Sequence, residues 1–491
     1  MTRPLCLLLA CGAALAGCSW RDSVLTVHGT AGGGVDAGGG APLVPVCPVA
    51  PGAPPAWAPV PTPAQAALQR TELTAYLHFG LNTFDGTEYG NSAIDAPSLF
   101  NPTAFDASQW VAALKDAGFK QAKLTVKHVT GFCLWPSLYT EYSVKNSPWK
   151  NGQGDVVRDF TDAMHAAGMR VGFYLSPADD HYPSSSPDYE TYFRNQLTEL
   201  LTNYGPVSEI EFNGYQAPAG LDWAGIIQLA HRLQPEVLVY IGPEIADTGA
   251  DLRWLGVETA QATRSTSSIA SVPNGGPSDA WYPAEAPLSD RGLNTWFWHA
   301  NNSVISLGTL QSSYFTSVGM NTTLVLNVPP ANTGQLDAPD LELLREFGAW
   351  YRSLYATNLL QGQPVTTDST WATPGFEGAK AVDGDLCTYW AASAGQTSGR
   401  LEVSPPAPIT FTVISIREPI ELGERVTSYH VEIKKNGSWN KGPTDTTGAT
   451  VAGFLVGQRQ LWHLPPTTAE AVALVIDGAR DAPAIAELGV Y

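Results

Sequence analysis

From about residue 66 to residue 358 the chain repeats one unit, an amphipathic helix followed by a short apolar strand, and that rhythm restricts the fold more than any other feature. Asp106 or Ser108 can cap a helix whose apolar positions are Trp110, Val111 and Leu114; Gly118 closes it, and a strand over 122–127 follows. Asp155 starts the next helix, with Val157, Phe160, Met164 and Ala167 along one face. Gly168 ends it before a strand over 170–175. A third helix carries Phe193, Leu197, Leu200 and Tyr204, is stopped by Gly205-Pro206, and leads into a strand over 207–213. Residues 223–233 and 237–241 add one more unit. Strands that are each preceded by a helix pair in parallel, and a run of this size favours a (β/α)8-like TIM barrel over an open doubly wound sheet. No GxGxxG or Walker loop accompanies it to argue for a nucleotide.

The 491 residues are too many for one ordinary core, so a second folded unit is expected. Residues 361–491 supply it: short alternating strands and turn residues, as in VISIREPIELGERVTSYHVEIKKNGSW, predict an antiparallel all-β sandwich. A net charge of −19 argues against nucleic acid or anionic lipid as a ligand.

The first 18 residues read as a signal peptide. Arg3 precedes the apolar stretch 5–15, and Leu15-Ala16-Gly17-Cys18 matches a lipoprotein cleavage site, so the mature chain is expected to begin at a lipidated Cys18 on an exported bacterial lipoprotein, periplasmic or at the cell surface. Residues 19–64 are Gly- and Pro-rich and read as a disordered tether, so membrane contact is expected through the lipid alone. Of six cysteines, Cys6 and Cys11 leave with the signal. Cys47, Cys133 and Cys387 remain in three different regions, a pattern that implies neither a zinc site nor a disulfide framework.

Chemistry is expected where barrel strands end. The polar residues there are His78, His128, Asp179, Asp180, Asn213 and Glu258. After His128 the chain turns through Phe132, Trp135 and Trp149. Aromatic faces cover the apolar side of a pyranose while His and backbone groups take its hydroxyls; the alternative is a loop packed by its own aromatics. His, Asn, carboxylates and aromatics together suit glycoside hydrolysis, which needs a carboxylic acid at the leaving oxygen and a second group below the anomeric carbon.

The blocks LHFGLNTF, GFCLWPSLYTEYSVKNSPWKNGQGDVVRDF, DLRWLGVE, WYPAE and LNVPPANTG resemble the α-L-fucosidases of glycoside hydrolase family 29, especially the branch acting on α-1,3/1,4-linked fucose. The resemblance implies hydrolysis of fucosylated oligosaccharide or glycoprotein glycans with no cofactor for catalysis. It also implies substrate contacts from His78, Glu88, Tyr89, His128, Trp135, Tyr174, Arg291 and Trp296, and an acid/base role for Glu258. KHVTGF keeps one His of the family's KHHDGF pair. The family's nucleophilic Asp, in a motif written WFDG, falls on Asn213 in EFNG, and the preceding Trp has become Glu211. An amide is a poor nucleophile and does not stabilise oxocarbenium charge. Three readings follow: Glu211 takes over, Asn213 orients a water for inversion, or the barrel binds sugar without turnover. Glu211 can also be a buried carboxylate paired with Lys127 or His128, and Asp179 and Asp180 solvated loop residues.

The block AKAVDGDLCTYWAA resembles galactose-binding-like, discoidin-type modules. That likeness implies a structural calcium on Asp383, Asp385, Thr388 and Glu487.

Overall fold

The computed structural model describes residue 44 and residues 47–90, 96–183, 185–213, 218–242, 249–272 and 279–491. The signal peptide, Cys18 and the Gly-rich part of the tether lie outside the described residues.

The helix-strand rhythm becomes a ring of eight parallel strands: β1 Leu73–Leu77, β2 Gln121–Lys127, β3 Arg170–Leu175, β4 Glu209–Phe212, β5 Leu238–Ile241, β6 Arg253–Trp254, β7 Ala284–Ser289 and β8 Thr323–Asn327. Neighbours pair in the order β5-β4-β3-β2-β1-β8-β7-β6, and a parallel bridge from Tyr240 to Leu252 brings the two ends together. The predicted caps are present. Asp106 accepts from the Gln109 amide and Asp155 from the Arg158 amide at the starts of Ala107–Asp116 and Val156–Ala166. Gly118 and Gly168 follow those helices with φ of 96° and 71°, a left-handed conformation that glycine adopts without a Cβ clash. Trp110, Leu114, Phe160 and Leu197 are fully buried, so the apolar helix faces cover the outside of the ring.

Past Val365 the chain packs two larger antiparallel sheets together, beside a short antiparallel pair of Trp390–Ala391 with Ala484–Ile485. One orders Val365–Thr367, Gly399–Val403, Ala471–Ala479, Val426–Lys435 and Ser438–Lys441; the other orders Gln460–Ala469, Ile409–Arg417 and Glu487–Val490. Alternating residues such as Leu401, Ile414, Val431 and Leu474 fill the space between them.

This module braces the barrel from below. Glu72, just before β1, receives Arg417 at 2.5 Å and Arg459 at 2.7 and 2.9 Å. Burial opposes the Glu72 charge, yet the two guanidinium groups hold its carboxyl down at about 2. Asn321, before β8, donates to Glu424 at 2.8 Å. Both contacts sit at the N-terminal end of the strands, opposite the end where chemistry is expected.

Two expectations about the tether are corrected. Cys47 and Cys387 form a disulfide across 340 residues of sequence. Ala50 and Ala53 pack with Phe376, Tyr389 and Leu422, and the Trp57 amide donates to the Leu422 carbonyl at 2.8 Å. The reading from composition failed because the partner surface that orders this segment lies in the distant sandwich. Closing so long a loop restricts the unfolded chain, an effect of about 2–4 kcal/mol.

Candidate active site

At the C-terminal ends of the strands a cavity of about 230 Å³ opens. That is smaller than the ~300–1,000 Å³ of drug-sized sites and suits one monosaccharide. Glu258, on the loop after β6, and Asn213, at the end of β4, line the same cavity, and Glu211 stands below Asn213 on the same strand face. His78, His128, Tyr174, Trp296 and the exposed Tyr89 complete the predicted residues that reach it.

His78 continues β1. Its Nδ1 lies 2.7 Å from Asn327 Oδ1, and the Asn327 amide nitrogen donates to Ser289 Oγ and the Trp296 carbonyl. The shared proton is therefore on Nδ1, which leaves Nε2 as the ring's acceptor. Burial, then the neighbouring His128, lowers His78 well below the usual range, and burial lowers His128 to about 4, so both rings are neutral at pH 7. His128 stacks on Tyr174 at 5.6 Å, and His78 lies 4.4 Å from Tyr76 and 5.2 Å from Trp296. This wall offers neutral imidazoles for hydroxyls and ring faces for C–H surface.

Three predicted substrate contacts are elsewhere. Trp135 is buried in the core and donates its Nε1 to Glu199 at 2.9 Å. Phe132 and Trp149 share that core, so the loop after His128 is packed by its own aromatics, and only its first residues, His128 and Val129, line the cavity. Arg291 is buried among Asp337, at 3.0 Å, and Asp340. It ties the loop after β7 to the helix Ala338–Leu354. Glu88 does not line the cavity; it accepts from the backbone of Trp296 at 2.9 Å and Phe297 at 3.2 Å and meets His299 at 2.8 Å, so it positions Trp296.

Under the cavity lies a charge cluster that the sequence reading missed. Lys123 Nζ sits 2.8 Å from Glu209, 2.8 Å from Glu211 and 2.7 Å from Glu285. The expected partners of Glu211 are thus corrected: Lys123 holds it, while Lys127 is buried against Asp179 at 3.1 Å and Gln196 at 2.9 Å. Asp179 is accordingly a core residue rather than a solvated one; Asp180 is exposed. Charged residues inside apolar strands, in KLTVK, EIEF and WYPAE, were the available signal, because a charge buried on a strand requires an opposite charge nearby. Tyr76, Tyr240 and Trp254 also line the cavity and share inward-facing strand positions with predicted residues.

Three carboxylates share one ammonium here. Burial acts against the Lys123 charge, but the carboxylates outweigh it and raise its pKa. Burial, then Glu209, pushes Glu285 up to about 8. An acid whose folded pKa is raised contributes stability that is complete below its ordinary value near 4.5 and is lost as pH rises through about 8. Glu285→Gln, which does not ionise, is therefore expected to gain stability relative to the native chain between pH 5 and pH 9. Urea unfolding at both pH values checks this, and a pH-independent difference would contradict it.

In the sandwich, Thr388 Oγ1 lies 2.7 Å from Asp383 Oδ2 and 3.2 Å from the Asp385 carbonyl. Glu487 faces the same loop, 3.4 Å from the Gly384 amide, and burial raises its carboxyl to about 7 with Asp383 adding to the shift. These oxygens are of the hard type that calcium takes, beside a carboxyl whose charge burial opposes. Asp385 Oδ1 accepts from the Cys387 amide at 2.9 Å, and its carbonyl faces Thr388.

Comparisons with known proteins agree with this geometry. A family model described as alpha-L-fucosidase matches residues 64–354, and one for the F5/8 type C domain matches residues 364–488. Alpha-L-fucosidase 1 of Arabidopsis thaliana is 36% identical over 461 residues, covering 88% of this chain and 87% of that protein. A putative alpha-L-fucosidase structure from Bacteroides thetaiotaomicron superposes with a TM-score of 0.80 at 33% identity, covering 89% of this chain and 99% of that one. A Ruminococcus gnavus family 29 fucosidase in complex with fucose gives a TM-score of 0.80 at 30% identity, covering 89% and 96%. With a family model matching more than half its length, this chain belongs to the α-L-fucosidase family.

Proposed function

We propose that the protein hydrolyses α-L-fucosides of oligosaccharide or glycoprotein glycans, with α-1,3/1,4-linked fucose as the linkage class its resemblance implies. The observation that carries this reading is that Glu258 shares one monosaccharide-sized cavity with two neutral histidines and an aromatic wall. Glu258 protonates the leaving oxygen. His78 Nε2 and His128 take ring hydroxyls, and Trp296, held by Glu88, covers the sugar's apolar face. Asn213 supplies no covalent nucleophile, so the second carboxylate comes from elsewhere in the cavity. The test is release of aryl alcohol from an aryl α-L-fucoside, run beside fucose binding by calorimetry. Binding without turnover would favour a cell-surface glycan-binding protein, the reading that the Asn213 substitution otherwise supports.

Calcium at Asp383, Thr388, Glu487 and the Asp385 carbonyl accompanies this reading. Chelation is expected to lower the melting temperature and added Ca²⁺ to restore it; an unchanged melt would remove the ion. The cleavage motif at Cys18 and the Cys47–Cys387 disulfide, a bond kept in oxidising compartments, support an exported, lipid-anchored protein. Metabolic labelling with a fatty acid is expected in the native chain and absent in Cys18→Ser; equal labelling of both would refute the anchor.

A further inference from the structure

We infer that Glu211 is the general base of an inverting hydrolysis and activates a water held beneath the sugar by the Asn213 amide. This rests on the fucoside-hydrolysing reading above and specifies its second carboxylate and its stereochemistry.

Asn213 Nδ2 donates to Glu211 Oε1 at 3.3 Å. An amide nitrogen and a carboxylate oxygen occupy nearly the same volume, so Nδ2 marks where an aspartate at 213 would hold an oxygen. The carboxylate present in this chain stands one hydrogen-bond length away from that mark. It is also deeper, because Glu211 lies two residues earlier on β4, toward the barrel interior, whereas Glu258 sits on a loop at the mouth. Retaining glycosidases hold their carboxyls ~5–5.5 Å apart, and inverting ones hold them ~6.5–9.5 Å apart to admit a water. A second carboxylate set deeper than position 213 is displaced away from the mouth, the direction that widens the pair and admits a water.

Glu211 and Asn213 are both oriented for this task. Glu211 Oε2 is fixed by Lys123 Nζ at 2.8 Å, and the same ammonium meets Glu209 and Glu285, which holds the Glu211 side chain in place. Asn213 Oδ1 packs against Gly242, where an added Cβ would come within 2.5 Å of it. The amide nitrogen is thereby turned toward Glu211 at the floor of the cavity.

In the reaction the water oxygen bonds to the anomeric carbon on the face opposite the leaving group as the glycosidic C–O bond breaks. The Glu258 proton passes to the departing oxygen, and Glu211 accepts a proton from the attacking water. The products are the alcohol and β-L-fucose. Glu211 has gained the proton that Glu258 lost, and exchange with solvent resets both groups.

The decisive measurement is proton NMR of the native protein during the first minutes on an aryl α-L-fucoside. β-L-Fucose is expected first. α-L-Fucose first, with a covalent adduct on Glu211 from a slow fluorinated substrate, would overturn the inference and make Glu211 a nucleophile. No turnover at all would remove the fucoside-hydrolysing reading itself, so the two failures are distinct. Glu211→Gln is expected to lower kcat by about 10²–10⁴-fold with KM nearly unchanged. An unchanged kcat would also overturn the assignment. Because Glu211 braces Lys123, circular dichroism of this variant accompanies the kinetics, and the product anomer of the native protein stands whether or not the variant folds.

Discussion

Replacing Glu258 with Gln is expected to lower kcat/KM on glycan fucosides by about 10²–10⁴-fold, the usual contribution of a positioned general acid. The amide keeps the shape and hydrogen-bonding reach of the carboxyl but has no proton to give to a departing alkoxide. The loss should depend on the leaving group. A sugar alkoxide needs the proton, whereas an acidic dinitrophenol departs without one, so the variant should retain most of its activity on a dinitrophenyl fucoside. Comparing the two substrates separates proton donation from binding, because a lost contact to the fucose itself would penalise both equally. An equal loss on both substrates would refute the acid role. Glu258 stands on the loop after β6 that returns to β7 through a bridge between Thr259 and Leu288, so the substitution leaves the strands that build the cavity untouched.

The second large effect is on folding. Lys123→Met should destabilise the protein by about 3–5 kcal/mol, the cost of removing one partner from a buried ion pair. That is a large share of the ~5–15 kcal/mol of a typical native domain. Met matches the length of the lysine stem, so little packing is lost. What remains is three carboxylates, Glu209, Glu211 and Glu285, within 4.8 Å of one another and all buried. With no cation left to balance them, their charges oppose burial, so the variant should recover as pH is lowered. Urea denaturation across pH measures both effects, and a change under 1 kcal/mol at neutral pH would show that Lys123 is dispensable. Pairing Lys123→Met with Glu209→Gln should restore part of the loss, since it removes one of the unbalanced charges.

Much of the barrel was legible from residues near one another in sequence. A helix face repeats every three or four residues, and caps such as Asp106 and Asp155 act over three residues, so Val156–Ala166 and Arg170–Leu175 could be read directly. His78, His128, Asn213 and Glu258 were legible as strand-end residues because parallel barrels present such positions on one face. Trp135 and Arg291 were misplaced for a common reason. An aromatic or an arginine in a strand-end loop points equally well into a cleft or into the wall, and only the position of Glu199 or of Asp337 and Asp340 decides which.

By itself, then, the chain's order of residues determined the alternation of helix and strand, the two-domain division and the absence of a carboxylate at position 213. Tertiary structure alone decided which charged and polar groups surround that position. Lys123 meets Glu209 and Glu285 across 86 and 162 residues of sequence, and Cys47 meets Cys387 across 340. Such pairs form only when the ring closes or the sandwich docks, because burial makes an unpaired charge too costly to tolerate, while nothing in the local sequence states which distant strand will supply its partner.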